Sequence, residues 1–244
     1  LLIVCVACTN KTTIESNALR EAISQVWLDA DQAQKALGKI NTSSLSEYEL
    51  QRYRLTEAHL MLKRELRLPI ESNLDDMAKY FANCEDEASA SEAYYIQGAY
   101  LNYIGENTQA MQYLKKAESY PAASIIRGMT YYKMGRISES EQLYDIALEN
   151  YQKALPYLEE AGLPLYLASV YRELGRNTHD ESRNQYFDKA LVAARFMGDT
   201  ILQMDIRYAQ LSANQDNSPE LASICQYMCH KAGQKRYAYD LVKY

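Results

Sequence analysis

Two neighbouring stretches decide the fold: residues 91–117, SEAYYIQGAYLNYIGENTQAMQYLKKA, and residues 121–147, PAASIIRGMTYYKMGRISESEQLYDIA. They align without gaps at a constant offset of 30 residues, which pairs Gly98 with Gly128 and Gly105 with Gly135. The first glycine of each pair lets two helices approach closely, and the second suits the left-handed position that ends a helix. The pattern predicts two copies of a helical hairpin, each of which has to stack on a neighbour to bury its apolar face.

Weaker copies continue the pattern in both directions. A third spans residues 163–190 with about three extra residues in its turn, after a long helix over residues 138–160 that Pro156 should kink or end early. In total we predict about twelve helices in six hairpins, and no strands. The predicted turns are Asn41–Ser44, Leu68–Ser72, Asn83–Ala88, Gly105, Tyr120, Gly135, Gly162, Gly175, Gly198 and Asn214–Pro219.

The order of small, aromatic and glycine residues in these copies resembles the tetratricopeptide repeat. Two departures stand out, because Ser140 replaces the alanine of that family and the offset is shorter than its roughly 34 residues. The resemblance covers residues 15–244 and implies an all-α fold, a right-handed α-solenoid of tetratricopeptide-like helical hairpins. It also implies a repeat domain over those residues, and leaves open that the domain continues past residue 244.

Composition agrees with a helical globular domain. Of the 244 residues, 48% are hydrophobic and only 9 are Gly and 5 Pro. The formal net charge of −6 argues against nucleic acid as a partner, since phosphate-backbone binding needs a basic surface.

The first residues indicate export. Residues 1–7 are apolar and uncharged and end in Ala7 before Cys8, which resembles the end of a bacterial lipoprotein signal peptide. On this interpretation residues 1–14 hold a signal-peptide remnant, lipidation at Cys8 and a polar tether, and the protein is a periplasmic or outer-membrane lipoprotein held to the membrane by its lipid. The alternative is a first buried helix or strand. With the half-repeat at Asp31, Ala33 and Leu37, the chain resembles exported tetratricopeptide lipoproteins of Bacteroidota.

The cysteines and histidines give little chemistry. Cys225 and Cys229 share a helix face beside His230, which could offer metal ligands, but two small buried hydrophobic side chains are the favoured interpretation. His179-Asp180-Glu181 fits a solvated turn before a helix. No catalytic or phosphate-binding sequence pattern occurs, so we predict no enzyme activity, no cofactor and no metal.

Tyrosine is unusually frequent, with 22 Tyr against 3 Phe and 1 Trp. The family resemblance implies a concave groove lined by the first helix of each hairpin, and aromatic side chains there would anchor a peptide. The implied function is a non-catalytic protein- or peptide-binding scaffold or sensor domain of an exported lipoprotein. The alternative function is a carbohydrate-binding lipoprotein of a glycan-uptake system, for which Trp27 is slender support. The matching groove positions are Tyr95, Asn102, Tyr103, Met129, Tyr132, Lys133, Arg172 and Glu173.

Overall fold

The computed structural model describes residues 17–64, 68, 73–216 and 218–230, and these residues form helices and turns but no strand. Helix α1 covers residues 17–25, and a short 3-10 helix, Thr42–Ser44, separates α2 from α3. The other helices are α2 Ala30–Leu37, α3 Glu47–Lys63, α4 Leu74–Asn83, α5 Glu87–Tyr103, α6 Asn107–Ser119, α7 Ser124–Ser140, α8 Tyr144–Ala161, α9 Pro164–Asn177, α10 Ser182–Phe196, α11 Thr200–Ala213 and α12 Pro219–His230.

Consecutive helices pack against each other, which confirms the predicted stack of helical hairpins. The odd-numbered helices are the first helices of their hairpins, and the even-numbered ones are the second helices. First helices also contact one another, α3 with α5 and α9 with α11. The chain divides into two compact units, unit 1 (Leu1–Ile126) and unit 2 (Arg127–Tyr244).

Capping side chains mark the N-terminal ends of helices in unit 1. Ser46 and Glu49 form a reciprocal capping box at the start of α3, and the Asp29 carboxylate accepts two backbone N–H groups at the start of α2. Helices α1, α2 and α3 then bury a shared apolar cluster. Its members are Leu19, Ala22, Val26, Ala33, Ala36, Leu37 and Leu60.

Small residues let the two helices of a hairpin approach closely. A Cβ atom on Gly98 would lie 2.8 Å from Leu114 Cγ, and one on Gly135 would lie 2.6 Å from Tyr151 Cε1. Gly128 meets Leu158 and Gly175 meets Phe187 in the same way. Any side chain at these positions would therefore push the paired helices apart.

The predicted turns at Gly135 and Gly175 are wrong. Helix α7 continues through Gly135 to Ser140, and α9 continues through Gly175 to Asn177. The left-handed residue after α7 is Gln142, with φ 62°, where the preceding hairpin has Gly105, with φ 89°. The structural offset between these hairpins is therefore the 37 residues from Gly105 to Gln142, and the predicted 30 was one heptad short.

The long helix predicted over residues 138–160 also needs correction. Helix α8 begins at Tyr144 and runs to Ala161, so Pro156 does not end it early. Pro156 is exposed, and water can solvate the carbonyl that its missing N–H leaves unbonded. The turns predicted at Gly105, Tyr120, Gly162 and Gly198 are confirmed.

The proposed signal-peptide remnant and Cys8 lie outside the described residues, as does most of the turn at Leu68–Ser72. Lipidation at Cys8 stays a prediction. Among the helices of the described ranges, none combines the length and apolar character that crossing a membrane requires.

Candidate binding sites on the first helices

A pocket of about 420 Å³ in unit 2, called here the arginine pocket, is lined entirely by first helices. Its walls come from α7, α9 and α11, and its size falls within the range of ligand sites. The lining residues are Arg136, Arg172, Arg176, Asp205, Tyr208, Ala209, Ser212 and Ala213.

The arginines are organised around Glu173, a fully buried carboxylate on α9. Arg172 donates from Nε and Nη2 to Glu173 Oε1, at 3.1 and 2.5 Å, and from Nη1 to Asp205. Arg176 donates from Nη1 to Glu173 Oε2 at 3.1 Å and pairs through Nη2 with Glu139 at 3.2 Å. A buried charge of this kind is tolerated only when it is paired and hydrogen-bonded, as Glu173 is.

The electrostatics keep Glu173 charged. Burial raises the pKa of its carboxyl group, but Arg172, Arg176 and Arg136 outweigh burial and hold the pKa below its usual value. Burial and the nearby Glu173 charge raise the pKa of Tyr132, so its hydroxyl stays protonated at neutral pH. At neutral pH Glu173 is therefore a fixed negative charge and Tyr132 a neutral hydroxyl.

Arg136 is the least engaged of the three guanidinium groups. Its Nη1 lies 3.5 Å from the Tyr132 hydroxyl and 3.9 Å from Glu173 Oε1, both at the outer limit of useful contacts. A guanidinium group has five N–H donors, so Arg136 retains donors for a further acceptor.

Unit 1 has a comparable cavity of about 430 Å³, the unit 1 cavity. It is lined by α1, α3, α5 and the start of α7, together with Trp27 in the turn after α1 and residues that immediately precede α5 and α7. The lining residues are Ile23, Trp27, Tyr48, Arg52, Asp86, Ala88, Ser89, Glu92, Ala123, Ile125 and Ile126.

A polar network holds one side of the unit 1 cavity. Buried His59 places Nδ1 2.9 Å from Glu92 Oε1, and Arg52 donates to Ser89 Oγ at 2.5 Å while its Nη1 lies 3.4 Å from Glu92 Oε2. Burial raises the pKa of Glu92, but the hydrogen bond from His59 and the charges of His59 and Arg52 bring it below its usual value. The Tyr48 hydroxyl donates to Asp86 at 2.8 Å.

Trp27 lines the unit 1 cavity but is not an exposed aromatic platform. Its ring packs edge-on against His59, with centroids 4.4 Å apart, and lies 5.9 Å from the Tyr95 ring. Lys63 Nζ lies 5.7 Å from the centre of the same ring. The structure thus adds no support to the carbohydrate alternative.

The structure brings part of the predicted groove together. Arg172 lines the arginine pocket, Glu173 lies beneath it and Tyr132 is buried beside Arg136. Tyr95, Tyr132 and Arg172 occupy equivalent positions, each three residues before the glycine that packs on the second helix.

The remaining predicted residues lie elsewhere. Tyr95 and Met129 are buried, and Lys133 is half-buried. Tyr103 is half exposed at the end of α5, and the amide of Asn102 donates to Asn107 at 3.0 Å. Partner binding through these eight residues stays a prediction.

Arg136 and Arg176 were missing from the sequence-based site. Both follow a glycine that packs on the second helix, in the repeated pairs Gly135-Arg136 and Gly175-Arg176. The gap-free alignment matched Gly135 with Gly105 and hid this correspondence. A repeated Gly-Arg pair at the end of a first helix was the available signal.

Cys225 behaves as a small buried hydrophobic residue, as predicted. It lies in an apolar cluster with Leu211, Leu221, Ile224 and Met228, and half-buried Cys229 packs against that cluster. The side chain of His230 is outside the described part. Within the ranges that the structure describes, no three His, Cys, Asp or Glu residues are grouped to hold a metal ion.

The turn at His179-Asp180-Glu181 is confirmed as a solvated helix start. All three residues are exposed, and the Asp180 carboxylate accepts the backbone N–H of Ser182 at 2.8 Å.

A larger cavity of about 780 Å³ lies among α10, α11 and α12.

The fold and the two first-helix cavities define a helical-hairpin repeat protein of tetratricopeptide-like architecture. The chain is similar to the photosystem I assembly protein Ycf3 of Prochlorococcus marinus (strain MIT 9312), with 29% identity over 113 residues. The similar segment covers 43% of this chain and 64% of that protein, so it spans less than two thirds of the relative. No family model matches the chain. No solved structure matches it either.

Proposed function

We propose that this protein is a non-catalytic scaffold that binds a protein or peptide through the faces of its first helices. The observation that carries the proposal is that the arginine pocket and the unit 1 cavity are both lined by first helices and residues next to their ends. A stack of hairpins presents its first helices side by side, and an extended segment can lie across several of them. The name of the similar Ycf3 protein, an assembly protein, supports this class of function.

The charged groups also support binding over catalysis. Glu92 and Glu173 both have a pKa below the usual value because cationic neighbours stabilise their ionised forms. A general acid or base works best with a pKa near the working pH, whereas fixed charges suit recognition of a complementary partner.

Peptide selection tests the proposed function. A random peptide library is selected against the whole chain, and the enriched peptides are resynthesised with a photoreactive benzophenone group. We expect crosslinks, located by mass spectrometry, on first helices such as α3, α5, α9 and α11. Failure to enrich any peptide, or crosslinks confined to the second helices, would contradict the proposal.

The lipoprotein part of the proposal rests on residues 1–8 alone. A lipid on Cys8 would hold the scaffold at a membrane surface of the cell envelope. In a bacterial host that expresses the chain with a basic export leader added before Leu1, radiolabelled palmitate should enter the wild-type protein and not the Cys8→Ala variant. Equal labelling of both proteins would exclude lipidation at Cys8.

A further inference from the structure

We infer that the arginine pocket binds an acidic segment of a partner protein, through aspartate or glutamate side chains that reach Arg136 and Arg176. This inference rests on the proposed function and names the chemistry of the partner at one of its two sites. It depends on three properties of the protein: the exposure of the charged side chains, the hydrogen-bond donors that the exposed arginines retain, and the net negative charge of the chain.

The exposed part of the cluster is cationic even though its formal charges balance. Three arginines face three carboxylates, but the side chains of Arg136 and Arg176 are each 46% exposed. The carboxylates are covered, with side-chain exposures of 0% for Glu173, 13% for Asp205 and 16% for Glu139. A partner approaching the arginine pocket therefore meets guanidinium groups first.

The two exposed arginines approach different oxygens of one carboxylate. Arg136 on α7 is 3.9 Å from Glu173 Oε1, and Arg176 on α9 is 3.1 Å from Glu173 Oε2. Their shared neighbour places the two guanidinium groups close together at the opening of the arginine pocket. A second carboxylate on the solvent side could accept N–H groups from both, in the planar geometry that guanidinium and carboxylate groups share.

The opposite wall of the arginine pocket leaves room for such a side chain. Ala209, Ser212 and Ala213 on α11 are small, and they line the pocket together with Tyr208. A volume of about 420 Å³ holds one or two acidic side chains with some of their backbone.

The net charge of the protein limits which kind of anion the arginine pocket would bind. The chain carries a formal net charge of −6, which repels an extended polyanion. A local cationic pocket on an acidic protein therefore favours a short acidic segment. The positive charge of the pocket and the negative charge of this segment are complementary.

The experiment measures fluorescence anisotropy of labelled 12-residue peptides with the whole chain. The probe is an acetylated and amidated peptide of Glu, Asp, Ala and Tyr, and the comparison peptide has Gln and Asn in place of every acid. We expect at least tenfold tighter binding of the acidic peptide, and weaker binding as salt is raised. A neutral peptide with one phosphoserine tests the phosphate alternative.

Two double variants locate the site. Arg136→Gln with Arg176→Gln removes the exposed guanidinium groups and leaves Arg172 to hold Glu173, and it should weaken acidic-peptide binding at least tenfold. The control, Lys153→Gln with Arg195→Gln, removes two exposed cations from the second helices α8 and α10 and should change binding less than twofold. Circular dichroism and thermal melting verify that both variants are folded.

A third double variant, Arg136→Lys with Arg176→Lys, keeps the charge and loses the guanidinium geometry. Intermediate affinity supports the bidentate geometry, and unchanged affinity contradicts it.

Three outcomes overturn the inference: equal binding of the acidic and neutral peptides, full binding by the Gln variant, or a preference for the phosphoserine peptide. If library peptides crosslink to first helices but acidic and neutral peptides bind equally well, the inference fails and the proposed function stands. The proposed function fails if no peptide crosslinks to a first helix.

Discussion

At the scale of single residues, Gly135 sets how closely α7 approaches α8. A methyl group there would overlap the ring of Tyr151, which is fully buried. Moving the ring away would disturb the hydrogen bond that the Tyr151 hydroxyl donates to Glu139 Oε2 at 2.9 Å. The same Glu139 pairs with Arg176, so the helix contact at Gly135 is linked to the walls of the arginine pocket.

We therefore expect Gly135→Ala to lower the free energy of unfolding by about 1–3 kcal/mol, the usual cost of overpacking a core. This sign is opposite to helix propensity, which favours alanine over glycine by about 1 kcal/mol. Urea unfolding of both proteins measures the difference. The control is Gly38→Ala at the C-terminus of α2, where φ is −65° and the new Cβ lies 3.5 Å from Gln34 O. Gly38→Ala should be neutral or slightly stabilising, and a neutral Gly135→Ala would contradict the packing argument.

At the scale of helices, the sequence predicted the hairpins, but the predicted register of the hairpin that begins with α7 was wrong. Small residues recur seven apart in the first helices, as Ser91 and Gly98, and as Gly128 and Gly135. Seven residues are close to two helical turns. An alignment of two first helices that is shifted by one heptad therefore still pairs small residues with small residues. Gln142 adopts the left-handed conformation in which glycine is expected, so the true end of α7 lacks the usual signal.

The candidate sites were predictable only in part for a related reason. Arg172 and Glu173 were found because the first-helix rule selects positions on one helix. The hydrogen bond between Glu92 and His59 joins residues 33 positions apart on different helices, and no local pattern encodes such a contact. The burial of Glu173 depends on the packing of α9 against α11, and the periodicity of apolar residues in the sequence does not predict that packing.

At the scale of the whole molecule, each unit contains a covered carboxylate beside arginine: Glu92 beside Arg52 in unit 1 and Glu173 among three arginines in unit 2. Both carboxylates have a pKa below the usual value, so folding favours their ionised forms. Each therefore stabilises the folded protein above its unfolded pKa of about 4.3, and this contribution is lost as pH falls through the lower folded pKa. Acid should unfold the protein through these sites.

Replacing Glu173 by glutamine tests this account. Glu173→Gln leaves three arginines without their central charge, and we expect the free energy of unfolding at pH 7 to fall by about 3 kcal/mol. Protonated glutamate resembles glutamine, so the difference from wild type should shrink as pH drops below about 4.3. Urea unfolding at pH 7, 5, 4 and 3.5 measures both effects, with Glu160→Gln on the exposed face of α8 as the control. A difference that stays constant down to pH 3.5 would show that the Glu173 charge does not stabilise the fold, because a charge effect has to disappear with the charge.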